Sequence, residues 1–172
     1  TTLDDKGYFF RTAPSDARGG QILADITKDR RVKSVAITYT NNDYGKGLAD
    51  VYKAAVEAHG IKVTTVTAHE DGKADYSSEV ATLASAGGDA VAVIGYLDQG
   101  GKGIIQASLD SGAFDKFILS DGMIGDSLTD NFGKALNKSF GSLPGSTGKG
   151  AGVFADVAKA GGIDSSGPYT GE

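Results

Sequence analysis

Three residues of this chain are placed where a side chain could hold a small molecule. Tyr44 lies in the stretch NNDYGKG, where a β-rich run gives way to an amphipathic one. A tyrosine there offers a flat apolar face and one hydroxyl, which suits the wall of a cleft. Gly45 directly after it permits close backbone approach, and Asp43 before it is expected to cap the helix. Tyr96 ends the apolar run AVAVIG in the same manner, and Asp121 follows the apolar run KFILS. A carboxylate so placed can take an ammonium group through charge-assisted hydrogen bonds. Each residue has a plainer reading. Tyr44 could be a staple over the helix start, Tyr96 a core aromatic with a satisfied hydroxyl, and Asp121 a helix cap or a turn with Gly122. Position alone leaves these open. For Asp98 the helix cap before Gly100 is the favoured reading.

Other chemistries fit poorly. A serine hydrolase of the nucleophile-elbow type needs G-x-S-x-G, which is missing from the sequence. The two histidines, His59 and His69, fall at a helix end and in a polar turn, where solvated surface is the expectation. They are far apart and there is no cysteine to join them, so a zinc-type metal site is not expected. Gly101-Lys102-Gly103 resembles the start of a dinucleotide fingerprint, but Gln106 stands where the third glycine belongs. The run GSTGKG fails the Walker spacing, with Leu143 and Gly150 at positions that need Gly and Ser or Thr. No catalytic residue and no cofactor is assigned.

The elements that must position these residues follow from periodicity. Strands are expected at Tyr8–Arg11, Val32–Thr40, Ile61–Ala68, Ala90–Gly95, Lys116–Ser120 and Lys138–Leu143. Between them, helical stripes run over Ala17–Lys28, with Ile22, Leu23 and Ile26 inward, and over Gly45–His59, closed by Gly60. Further helices are expected at Asp75–Ala86, Gly103–Ser111, Ser127–Leu136 and Val153–Ala160, with a glycine-rich surface loop at Gly141–Gly152. Alternation at this spacing means right-handed crossovers and a mainly parallel sheet with helices on both faces, an α/β Rossmann-like domain. Ligands of such sheets lie outside the carboxyl ends of the strands, which is where Tyr44, Tyr96 and Asp121 stand.

The totals set the outer bounds. At 172 residues and 40% hydrophobic content the chain can build one domain with a real core. A net charge of −5 argues against a nucleic-acid partner, which needs a basic face. No run of about 18 apolar residues could span a membrane.

Taken together, the stretches GYFFRTAPSDARGGQILADI, VKSVAITYTNNDYGKGLADVYKAAVEAHG, ADYSSEVATL, DAVAVIGYLDQGGKGIIQASLDSG and KFILSDGM resemble the C-terminal lobe of the type I periplasmic binding proteins. The branch they look most like is the leucine/isoleucine/valine receptor of branched-chain amino-acid ABC transporters. The resemblance runs from Lys6 to Glu172, and its strongest marker is FRT followed some thirty residues later by NDYGKG. It implies residues 1–172 as a single lobe of a two-lobed protein, with the N-terminal lobe outside this sequence. It further implies a periplasmic receptor, exported by a signal peptide outside this chain, without enzymatic activity or cofactor. Its partners would be an amino acid or similar small molecule and a membrane permease. By motif, the resemblance places Tyr44 and Tyr96 on the ligand wall, Asp121 at the ligand's ammonium and Tyr169 on a returning hinge segment. Asp121 departs from the glutamate common in that branch, so the amine would sit closer or the ligand be larger. A sensor or regulator domain of the same fold is the alternative, and a flavodoxin-like or nucleotide enzyme a more distant one.

Overall fold

The computed structural model describes residues 6–10, 13–145 and 150–163. Helix α1 (Asp16–Asp29) leads into strand β1 (Ser34–Thr40), followed by α2 (Asp43–Ala58), β2 (Lys62–His69), α3 (Ser77–Ala86) and β3 (Ala90–Ile94). A π-type turn at Leu97–Gly101 runs into α4 (Lys102–Ser111), then β4 (Phe117–Leu119) and a 3-10 turn at Asp121–Met123. Next come α5 (Asp126–Phe132), β5 (Phe140–Gly141) and α6 (Gly150–Ala160). The five strands among the described residues are all parallel, in the order β2-β1-β3-β4-β5. This is the flavodoxin-like order, with its switch point between β1 and β3.

Period-two alternation on the central strands divides the core into two layers. Val35, Ile37, Ala92, Ile94 and Ile118 face α1 and α2, where Leu23, Leu48, Tyr52 and Val56 pack. Ala36, Val91, Val93, Phe117 and Leu119 face α3, α4 and α5, meeting Val80, Leu83, Ile104, Ile105 and Leu128. Every residue of β3 is buried, as a strand covered on both faces requires. The Tyr52 hydroxyl is buried too and reaches Thr27 Oγ1 at 3.0 Å, while Thr27 donates to the Leu23 carbonyl at 2.7 Å. The buried hydroxyls of Thr27 and Tyr52 thereby satisfy each other.

Several expectations need correction. Tyr8, Phe9 and Phe10 form no strand, and Tyr8 is 90% exposed. A strand needs a neighbour to take its backbone groups, and the described sheet ends at β2 and β5. β5 is two residues long rather than six, because its partner β4 turns away at Ser120. The helix expected over Ser127–Leu136 breaks at Gly133, whose φ of +46° ends α5, and continues as a 3-10 turn. α6 begins at Gly150, inside the expected loop. Ile22 is 40% exposed, since the inward stripe of α1 runs through Gly20, Leu23, Ala24 and Thr27. Gly20 permits this closeness: a Cβ there would meet Val51 Cγ1 at 2.7 Å.

Candidate ligand-binding site

The three sequence-selected residues come together at the carboxyl end of the sheet. Tyr44 stands in the first turn of α2, just after β1. Its entry angle is set by Asn42, not Asp43: the Asn42 side chain accepts from the Gly45 amide at 2.7 Å and caps the helix. Asn42 holds the extended backbone a cap needs, whereas Asp43 is already helical. Gly45 is required here, because a Cβ would lie 2.2 Å from the Thr40 carbonyl oxygen.

Tyr96 follows β3 across the switch point. Its ring lies 4.9 Å from that of Tyr44, centroid to centroid, with the planes tilted by 34°. Asp121 follows β4 and accepts a hydrogen bond from the Tyr44 hydroxyl on Oδ1. Its backbone opens a 3-10 turn, with the Asp121 carbonyl accepting from Ile124 N at 3.0 Å. The turn reading therefore holds for the backbone of Asp121, while its side chain reaches across to Tyr44. Gly122 lets that turn slide beneath Tyr96: a Cβ would meet the Gly95 carbonyl at 2.4 Å and Tyr96 Cδ1 at 3.0 Å.

Burial, reinforced by the hydrogen bond and negative charge of Asp121, pushes the Tyr44 phenol well above its ordinary range. Tyr44 is thus a fixed donor to a carboxylate. The hydroxyl takes one of the acceptor sites that the carboxylate offers. Tyr96 is 39% exposed, so part of its ring faces outward. Beside Asp121 opens a cleft of about 310 Å³, between the start of α1 and the segment after β5. Pro14, Ser15, Leu48, Asp121 and Leu143 are among its walls. Neither tyrosine lines it. The ring pair and the cleft are neighbours that share Asp121, and this carboxylate borders both.

Two further sequence expectations fail at this edge. Asp98 caps no helix; it lies on the surface within the π-type turn and pairs with Lys102 at 3.3 Å. His69 is not solvated. At 1% exposure it ends β2 between two threonines, with Thr38 Oγ1 at 2.9 Å from Nδ1 and Thr40 Oγ1 at 3.1 Å from Nε2. Burial lowers its pKa to about 4, against the opposing pull of Glu79, Glu70 and Asp71. Its position in a polar-looking turn hid this, because β2 extends one residue past the alternating run and carries His69 onto the inner face. Ser120 was also missed: Gly95 N donates to its Oγ at 3.0 Å, tying the end of β3 to that of β4. The signal for this group was the spacing of Thr38 and Thr40, two hydroxyls on one face of a buried strand. Tyr169 lies outside the described residues.

Comparison with known proteins agrees with this architecture. Residues 1–162 match the periplasmic binding protein family. A Leu/Ile/Val-binding protein homolog of Brucella abortus is 32% identical over 142 residues, covering 78% of this chain and 37% of that protein. The crystal structure of the leucine binding protein LivK from Thermotoga maritima superposes with a TM-score of 0.75 at 21% identity, over 88% of this chain and 44% of that one. A solute binding protein of an ABC transporter from Rhodopseudomonas palustris, solved with p-hydroxybenzoic acid, superposes with a TM-score of 0.71 at 18% identity, over 91% and 44%. This chain thus spans less than half the length of each. With the flavodoxin-like sheet, helices on both faces and a match over nearly its whole length, the chain belongs to the periplasmic binding protein family of solute receptors.

Proposed function

We propose that this chain is one lobe of the substrate-binding component of an ABC transporter. In this reading it holds an amino acid or a related small molecule in a cleft between two lobes and delivers it to a membrane permease from the periplasm. The observation that carries the reading is the Tyr44–Tyr96 ring pair joined to Asp121 at the switch point of the sheet. The rings supply an apolar wall, and the carboxylate supplies acceptors for an ammonium group. The Brucella and Thermotoga proteins are named as Leu/Ile/Val- and leucine-binding, which favours an α-amino acid. The other lobe would supply the carboxylate site. Closure would then be a two-state equilibrium biased by contacts made only in the closed form. Because one lobe makes only part of those contacts, residues 1–172 alone would bind weakly.

A second reading is an aromatic acid. The tilted ring pair is suited to receiving a third ring, and the Rhodopseudomonas protein was solved with such an acid. The discriminating experiment is a thermal-shift series on the two-lobed protein with L-leucine, L-valine, L-lysine and 4-hydroxybenzoate, for wild type and Asp121→Asn. A ligand at 100 times its dissociation constant stabilises by about 2.7 kcal/mol. A shift with an amino acid that Asp121→Asn abolishes supports the first reading. A shift with 4-hydroxybenzoate that survives Asp121→Asn selects the second. Calorimetry showing tight amino-acid binding by residues 1–172 alone would refute the two-lobed account.

A further inference from the structure

Behind the ring pair lies a hydrogen-bond chain in which one set of directions satisfies every contact at once. Thr40 Oγ1 has three neighbours at hydrogen-bonding distance. The Gln99 carbonyl at 3.2 Å can only accept, so that contact is made only when the single Thr40 hydroxyl proton points there. Tyr96 N, at 3.3 Å, can only donate to Thr40 Oγ1. The third neighbour is His69 Nε2 at 3.1 Å. With its proton there, Thr40 must accept from that nitrogen, so Nε2 carries hydrogen. In a neutral imidazole Nδ1 is then an acceptor, and Thr38 must donate to it across 2.9 Å. The order is Thr38 O–H to Nδ1, Nε2–H to Thr40, and Thr40 O–H to Gln99, with the Tyr96 amide also donating to Thr40.

The packing leaves this chain no slack. A Cβ at Gly95 would lie 2.0 Å from Thr40 Oγ1. A Cβ at Gly100 would lie 2.8 Å from His69 Cδ2 and 2.9 Å from the Tyr76 hydroxyl. Tyr76 closes the other side, edge-on to the imidazole at 6.4 Å and 81°, its hydroxyl donating to the Glu70 carbonyl at 2.9 Å. The π-type turn that carries Tyr96 therefore rests on the imidazole and on one threonine hydroxyl. Two of its backbone groups, at Tyr96 and Gln99, end on that hydroxyl.

We propose that His69 and Thr40 are positioning residues: the Nε2–H tautomer of His69 orients the Thr40 hydroxyl, which holds the Tyr96–Gln99 backbone and so sets the outer ring of the Tyr44–Tyr96 pair. Neither residue touches ligand in this scheme. The importance of the positioned ring rests on the functional reading above; the positioning itself does not, and the test needs no ligand.

The test is nuclear magnetic resonance on the 172-residue chain. Nitrogen-15 spectra of the wild-type imidazole at neutral pH report the tautomer directly, and Nε2–H is expected. Thr40→Val keeps the shape of the side chain but removes the hydroxyl, and Thr40→Ser restores it. Loss of one such bond is expected to speed exchange of the Tyr96 amide about tenfold. Contacts between the Tyr44 and Tyr96 rings should weaken alongside, with exchange across β1 and β3 unchanged. Thr40→Ser should return both to wild type. An Nδ1–H tautomer overturns the proposal, even where Thr40→Val fails to fold. So does a folded Thr40→Val with the wild-type Tyr96 exchange rate and ring contacts. Should the ligand panel fail while the tautomer and the Thr40 series behave as expected, the functional reading falls and the positioning stands.

Discussion

The two ends of the sheet use glycine for opposite reasons. At the amino end, Gly60, Gly87 and Gly112 close the helices that precede β2, β3 and β4. Their φ values are +76°, +70° and +68°, and an added Cβ at any of them would meet nothing within 4 Å. There glycine supplies a dihedral angle. At the carboxyl end, Gly45, Gly95, Gly101 and Gly122 have a backbone or side-chain atom within 2.0 to 2.4 Å of the place a Cβ would take. There glycine supplies closeness. Loops at the amino end need only turn. Loops at the carboxyl end are pressed against one another and against β1, so the side chains they carry are held in one arrangement. That is the end on which Tyr44, Tyr96 and Asp121 converge.

The largest test of this contrast is Gly95→Ala beside Gly60→Ala. At Gly95 a methyl meets Thr40 Oγ1 at 2.0 Å, and φ is +142°. Strain and overpacking together should destabilise by about 4 kcal/mol. At Gly60 only the left-handed dihedral is penalised, by about 1 kcal/mol. Urea unfolding measures both. Equal losses would erase the distinction between the two ends.

Much of this contrast was legible in the sequence, and the remainder was hidden for a physical reason. β1, β3, α2 and α4 were readable because their apolar periods are long and their ends carry glycine or a strand-to-helix change. Tyr44, Tyr96 and Asp121 could be placed at one edge because parallel alternation fixes which turns share an end. Tyr8–Phe10, by contrast, has the composition of a strand, but no sheet neighbour among the described residues. His69 looked solvated because Glu70, Asp71 and Gly72 follow it at once. Its burial depends on the turn after β3 folding down over it, a contact between residues some thirty apart. Asp43 was the expected cap, and it is Asn42, one residue earlier, that has the extended backbone and the bond to Gly45 N. One-dimensional patterns report which face a residue shares, and are silent on which loop closes over it.

Acidification offers the next largest effect, and it sharpens the comparison by isolating one carboxyl-end group. The folded pKa of His69 lies near 4, below the ordinary 6.5. Between these values the unfolded chain binds a proton that the folded chain refuses. His69 thus favours folding fully above pH 6.5, and the advantage declines as pH falls toward 4. The loss attributable to His69 amounts to about 3 kcal/mol. Glu79, Glu70 and Asp71 pull the other way and are already counted in that shift. Urea unfolding at pH 7.5 and 4.5, for wild type and His69→Gln, measures it. A pH slope unchanged by His69→Gln would mean that the imidazole is not held neutral.

Tyr44→Phe probes the joint between the ring pair and Asp121. The ring stays, so the apolar wall is preserved, while the donor to the carboxylate is lost. Hydrogen bonds to charged groups contribute more than neutral ones, and this one is only half-buried, so about 1.5 kcal/mol of stability should go. Ligand binding by the two-lobed protein should change less than in Asp121→Asn, because the acceptor itself remains. A larger loss in Tyr44→Phe than in Asp121→Asn would transfer the main polar role to the phenol.

The smallest effect is expected from the other histidine, and it closes the contrast between the two ends. His59 follows α2 at the amino end and pairs with Asp25 of α1 at 2.7 Å. The Asp25 side chain is 64% exposed, so water screens the pair and competes for both partners. Exposed pairs of this kind contribute little, and Asp25→Asn should change stability by less than about 0.5 kcal/mol. It should also leave the acid dependence assigned to His69 intact. The two histidines make a matched pair within one molecule: the same side chain is a surface partner at one end and a walled-in link between two threonines at the other. An Asp25→Asn loss as large as that from Tyr44→Phe would show that the amino end is held by specific contacts as well, and that its glycines are not there for turning alone.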